Sequence, residues 1–175
     1  NKPAFGHFIN IILFALTAVV LFKVLSKYLN GQLILPFLTT LLFVFHPIHA
    51  EVVSNIKSRD EIMTLLLCLL SAGAFYDWIK ENKTSKFLLA VFCFLASLFA
   101  KESTITFIVA IPLMFYFFTD AKQKHYFSAI GAMTFCSVVF LLIRNKILGG
   151  IESEIPVIDN YIAGLPNFFL QRVNA

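Results

Sequence analysis

The chain has 175 residues, of which 59% are hydrophobic, 15% aromatic and 14% charged, with 21 phenylalanines and a formal net charge of +4. A soluble domain is about half apolar and about a quarter charged, and one of this size buries only about 70% of its unfolded surface, so a soluble globular enzyme is excluded. The same apolar content excludes disorder, and a multi-pass all-α membrane bundle is what remains.

A spanning helix takes about 20 mainly apolar residues. Six stretches approach that requirement: 5–25, 30–45, 62–79, 86–100, 104–119 and 126–143. The chain opens on Asn1 rather than Met, has no charged, apolar and cleavable leader, and reads as a piece of a longer protein. Its first span carries His7 and Asn10, whose three-residue spacing puts them on one helix face. There they either bond a neighbouring helix or face an outer cavity. The second span is short and borrows Asn30–Gln32 to cross. It should end near His46, because Pro47 lacks an N–H and disfavours helix in the residue before it. Val52, Val53 and Ile56 then alternate with Glu51, Ser54, Asn55 and Lys57, which predicts a short interfacial helix. Ser58 and Glu61 have the spacing of a capping box at the start of the third span. Cys68, Cys93 and Cys136 each lie in an apolar run and are expected to be free buried thiols. After the sixth span, 144–164 reads as an irregular outer loop with Gly149, Gly150 and Pro156, and 165–175 as the start of a further segment. All of this constitutes a single membrane domain.

Six spans sort the loops into two sets. One holds Lys23, Lys27, Lys80, Lys83, Lys86, Lys122 and Lys124 with few acids. The other holds as many cations but most of the acids, so the excess positive charge collects on one side. The lysine loops are assigned to the cytoplasm. Their charge suits anionic lipid headgroups and implies no nucleic-acid partner.

All the unusual polar clusters fall on the other, outer side. His46, His49 and Glu51 stand within six residues at the end of the second span. A His there can complement a helix C-terminus or face the outer cavity. A divalent metal is conceivable on such ligands, but the spacing matches no closed zinc set, and no metal site is assigned. Arg59 and Asp60 follow; a planar guanidinium at a membrane surface is suited to a phosphate. Lys101 and Glu102 sit in the tight turn between the fourth and fifth spans, where they either complement two helix dipoles or serve a site.

These residues resemble a known family. The run from Phe45 through His46-Pro47-Ile48-His49-Ala50-Glu51 to Val53, continuing to Arg59-Asp60, resembles the H-P-x-H-x-E-x-V…R-x-[DE] signature of the transmembrane and TPR-repeat-containing O-mannosyltransferases and their bacterial relatives. Lys101-Glu102-Ser103 resembles their S-K-E turn, with Ala100 in place of Ser. His7-Phe8-Ile9-Asn10 resembles an H-x-x-N entry to an early span, with Phe14 where a second His often stands. Asp159-Asn160 resembles the D-N of a later outer loop.

The resemblance implies a GT-C glycosyltransferase that moves a sugar, such as mannose, from a polyprenyl-phosphate carrier to a protein or glycan acceptor on the outer face. It implies an enzyme in the full-length protein, with the principal catalytic acid upstream of residue 1 and TPR repeats downstream. The 175 residues alone are then expected to be inactive. Arg59 and Lys101 would hold the lipid phosphate. His46, His49, Glu51 and Asp60 would shape the sugar or acceptor site, and Glu102 would position Lys101. Two other classes stand beside this one: a transporter or channel subunit, and a structural membrane segment. Span centres almost free of charge argue against a path through the bilayer.

Overall fold

The computed structural model describes residues 3–152. They form seven α-helices: α1 (Pro3–Tyr28), α2 (Ile34–Phe45), α3 (Ile48–Ser54), α4 (Arg59–Glu81), α5 (Thr84–Ala100), α6 (Phe107–Phe118) and α7 (Gln123–Glu152). Short 3₁₀ turns precede α4 at Ile56–Ser58 and α6 at Glu102–Thr106. No strand occurs among the described residues. The chain divides between Phe140 and Leu141 into two compact units. The packing that follows belongs to the first; the described part of the second is helical, residues 141–152.

The protein is an integral multi-pass membrane protein. Among the described residues, three helices are long and apolar enough to cross a bilayer: Gly6–Tyr28, Arg59–Glu81 and Gln123–Ile147. The bent pair α2–α3 makes a fourth if it is one span. The fourth and fifth predicted spans, 86–100 and 104–119, correspond to shorter apolar helices, Thr84–Ala100 and Glu102–Phe118. Helix α5 has 17 residues and α6 has 12. At 1.5 Å per residue, 17 residues rise about 26 Å, short of a core about 30 Å thick.

Helix α4 is the centre of the bundle and packs most extensively against α5 and α1. Its small residues Ser71, Ala72, Gly73 and Ala74 are all buried and let neighbours come close. A Cβ on Gly73 would stand 3.1 Å from Val24 Cγ2 of α1. The Tyr28 hydroxyl donates to the Ala72 carbonyl at 2.9 Å, and Ser71 Oγ donates to the Ala90 carbonyl of α5 at 2.8 Å. Phe75 is fully buried, with edge contacts to Trp78, Phe87 and Phe115. The three cysteines are free and buried.

The local stop signals act as their chemistry requires. Helix α2 ends at Phe45, His46 turns extended, and α3 leaves at 63° to α2, so the predicted short helix after the second span is present. Asn30 and Gly31 take positive φ (55° and 80°) and turn the chain tightly from α1 into α2. Asn82 ends α4 in the left-handed region.

Two sequence expectations are corrected. Ser58 is not a side-chain cap: its φ and ψ are −82° and 14°, and its hydroxyl makes no capping bond. Asn55 supplies the local cap instead, its Oδ1 accepting from the Lys57 N–H at 3.0 Å. Glu61 is drawn to Lys101, on another element. Helix α7 also runs on through Arg144 to Glu152, into the stretch read as an outer loop. Glycine lowers helix propensity by about 1 kcal/mol but does not break a helix as proline does, so Gly149 and Gly150 are carried within it. The rest of the predicted loop, with Pro156 and Asp159-Asn160, and segment 165–175 lie outside the described residues.

Candidate functional site

The predicted residues lie at one end of the bundle, where α1 begins, α3 crosses and α4 begins. Asn10 is the hub. It is fully buried on α1, and its Nδ2 donates to the carbonyls of Asn55 (3.1 Å) and Val53 (3.4 Å). Its Oδ1 accepts from Arg59 Nε at 3.0 Å. Arg59 Nη2 donates to the Gly6 carbonyl at 3.3 Å. One side-chain amide therefore ties α1 to the turn after α3 and to the first residue of α4. Two edges of the Arg59 guanidinium are occupied by α1, so the plane of the cation is fixed. His7, one turn earlier on α1, is half-buried.

His46 and His49 differ in environment. His46 is exposed, and its Nδ1 accepts from the Ile48 N–H at 3.3 Å, capping the start of α3. His49 packs its ring against Phe43 (centroids 4.2 Å apart) and Phe14 (5.6 Å), with His46 6.0 Å away. Burial, with His46 second, pushes the His49 imidazole below its ordinary value. Glu51 is exposed in the first turn of α3.

His49 lines a cavity of about 210 Å³ with Phe14, Thr17, Phe43, Val52, Ile62, Leu65 and Glu61. Its wall is mostly hydrocarbon from α1, α2, α3 and α4. His49 and Glu61 are the titratable groups in it. Glu61 also pairs through Oε1 with Lys101 Nζ, and Asp60 Oδ2 stands 3.9 Å from the same nitrogen. The hydrogen bond that Lys101 donates to Glu61 raises its ammonium above the ordinary value; burial opposes this, and the charges of Glu61 and Asp60 add to it. Lys101 is charged at any physiological pH. Glu102 is exposed in the 3₁₀ turn that follows.

The structure thus joins Asn10 to Arg59, and Lys101 to Asp60 and Glu61, with His49 on the same cavity as Glu61, and leaves Glu51 and His46 exposed. Sequence reading assigned Glu61 to a cap and missed it as a member of the cluster. The signal was its place right after Arg59-Asp60, where a third charge exceeds what capping uses. The aromatic wall of Phe14 and Phe43 was missed because an apolar residue in an apolar helix carries no mark. Among the described residues, no three His, Cys, Asp or Glu side chains come together as metal ligands.

No family model matches the chain, and no solved structure matches it. Curated proteins do. The human protein O-mannosyl-transferase TMTC1 is 40% identical over 70 residues, covering 40% of this chain and 8% of that protein. The Caenorhabditis elegans protein O-mannosyl-transferase F38B6.6 is 27% identical over 173 residues, 96% of this chain and 23% of its own. Human protein O-mannosyl-transferase TMTC3 is 28% identical over 111 residues, 60% of this chain and 12% of its own. The chain spans less than a quarter of the length of each of these relatives. Its resemblance to protein O-mannosyl-transferases, read first from short motifs, extends over nearly all of its length.

Proposed function

We propose that the chain is part of the membrane domain of a glycosyltransferase that carries mannose from a polyprenyl-phosphate donor to serine or threonine hydroxyls on the outer face. The observation that carries this reading is the gathering of Arg59, Lys101, Asp60, Glu61 and His49 at one end of the bundle, in a chain similar to protein O-mannosyl-transferases.

The chemistry is a displacement at the anomeric carbon. The acceptor hydroxyl oxygen forms the new bond, its proton passes to a carboxylate, and the sugar–phosphate bond breaks with its electron pair going to the phosphate. The principal carboxylate is assigned to chain preceding residue 1, as the resemblance implies. The residues at hand serve the leaving group. Lys101 is a permanent cation held by two carboxylates, and exchanging one of them for the donor phosphate stabilises the charge that develops there. Arg59, fixed by Asn10, adds a second cation. His49, Glu51 and His46 border the space for sugar or acceptor, with Glu102 beside Lys101 in sequence.

The test is transfer of mannose from a polyprenyl-phosphate donor by the full-length protein in membranes. Lys101→Met and Glu51→Gln should each lower transfer by about tenfold or more at unchanged expression, the lysine change by about 10²-fold. Full activity in both variants would overturn the site.

A further inference from the structure

The opposite end of the bundle holds a second cavity, and it differs in kind. Its volume is about 380 Å³, and its lining includes Asn30, Gln32, Lys80, Tyr116, Thr119 and Asp120. These come from three separate places: the α1–α2 turn, the last turn of α4 and the end of α6. Lys80 and Asp120 are both exposed, and neither forms an ion pair among the described residues. Lys80 Nζ instead lies 5.7 Å from the centroid of the Tyr76 ring. Its neighbours Lys27, Lys83 and Lys86 all pair with acids. The cavity therefore presents one uncommitted cation and one uncommitted anion, with amide and hydroxyl groups beside them.

Its rim is apolar. Tyr116 and Phe117 are 71% and 65% exposed, and Phe118 is exposed beside them. Exposed aromatic side chains next to polar groups at the end of a membrane helix mark the level of lipid headgroups. A ligand for this place carries a phosphate for Lys80, a hydrogen-bonding cation for Asp120 and hydrocarbon for the aromatic rim.

We propose that this cavity is a binding site for a phospholipid with a phosphoethanolamine headgroup. The lipid phosphate sits at Lys80 and the primary ammonium donates to Asp120. A choline headgroup has no N–H to give Asp120, and a glycerol headgroup has no cation for it. The acyl chains run along Tyr116 and Phe117 into the bilayer. The assignment stands on membrane residence and on this cavity, and is independent of the transfer reaction.

The experiment is native mass spectrometry of the full-length protein released from nanodiscs holding equal parts of phosphatidylethanolamine, phosphatidylcholine and phosphatidylglycerol. Wild type should retain the ethanolamine lipid about fivefold over each of the others. Asp120→Asn should bring ethanolamine and glycerol lipids level. Lys80→Gln should lower retention of all three. Both positions are exposed, so the variants should fold; Gln32→Leu, on a different element, should also weaken retention and stands in if either variant does not. Equal retention of the three lipids by wild type, or a preference that survives both charge changes, would overturn the proposal. So would water-soluble phosphoethanolamine displacing the lipid at equal concentration, because the site would then need no membrane.

Discussion

The two ends of the bundle hold their helices together by different means. At the Lys101 end, α1, α3 and α4 are joined by a buried amide, an oriented guanidinium and three backbone carbonyls, those of Gly6, Val53 and Asn55. At the lysine-rich end, α1, α4 and α5 are joined by ion pairs open to water. Lys27 Nζ lies 2.8 Å from both oxygens of Asp77, and Lys86 reaches Asp77 at 3.8 Å. Buried hydrogen bonds fix geometry and are costly to leave half-made. Exposed ion pairs contribute little and yield to salt. The Lys101 end adds a network around a buried amide to its exposed Lys101 pairs, whereas, among the described residues, the charges of the lysine-rich end meet only in exposed pairs.

The sharpest way to break this contrast is at Asn10. Asn10→Leu leaves Arg59 Nε and two carbonyls without their partner and should destabilise the protein by about 2 kcal/mol. Thermal unfolding in detergent reads this, and added salt should not alter the loss. At the other end, Lys27→Met should cost under about 1 kcal/mol. There the difference from wild type should shrink further in high salt, a result that Asn10→Leu should not give. If the two variants respond to salt alike, the contrast between the ends is wrong.

The pH dependence is smaller. His49 has a lowered pKa in the fold, so the folded protein resists taking up a proton that the unfolded chain accepts. Stability from this group is whole above about pH 6.5 and declines as pH falls below it. His49→Leu should flatten that decline in a series of unfolding curves. The smallest effect is expected at Glu81, whose pair with Lys83 is on the surface. Glu81→Gln should leave the unfolding midpoint where it was, and a clear shift would mean that the lysine-rich end is less solvated than described.

What the sequence revealed and what it concealed divide along range. Pro47 stops α2 through its own covalent structure, so the break at His46 and the short helix after it were legible from the residues alone. The membrane bundle was legible from composition. The pairing of His7 with Asn10 on one face was legible too, but not that Asn10 would hold Arg59, 49 residues on. The capping box at Ser58 failed because a pattern four residues long cannot register a cation 40 residues away. The boundary of α7 failed because glycines weaken a helix without ending it. The short length of the fourth and fifth apolar stretches was legible as well, in Thr84–Ala100 and Glu102–Phe118.

Asn10 also orders events in time. A membrane chain is threaded from its N-terminus, so α1 emerges before anything it binds. Its amide finds its acceptors only when Val53 and Asn55 arrive, 43 and 45 residues later, and its cation only with Arg59. Until then α1 carries a bare amide near the lipid, and water or a chaperoning insertase has to satisfy it. The packing of α1 at this end is thus completed only after α2, α3 and the start of α4 are in place.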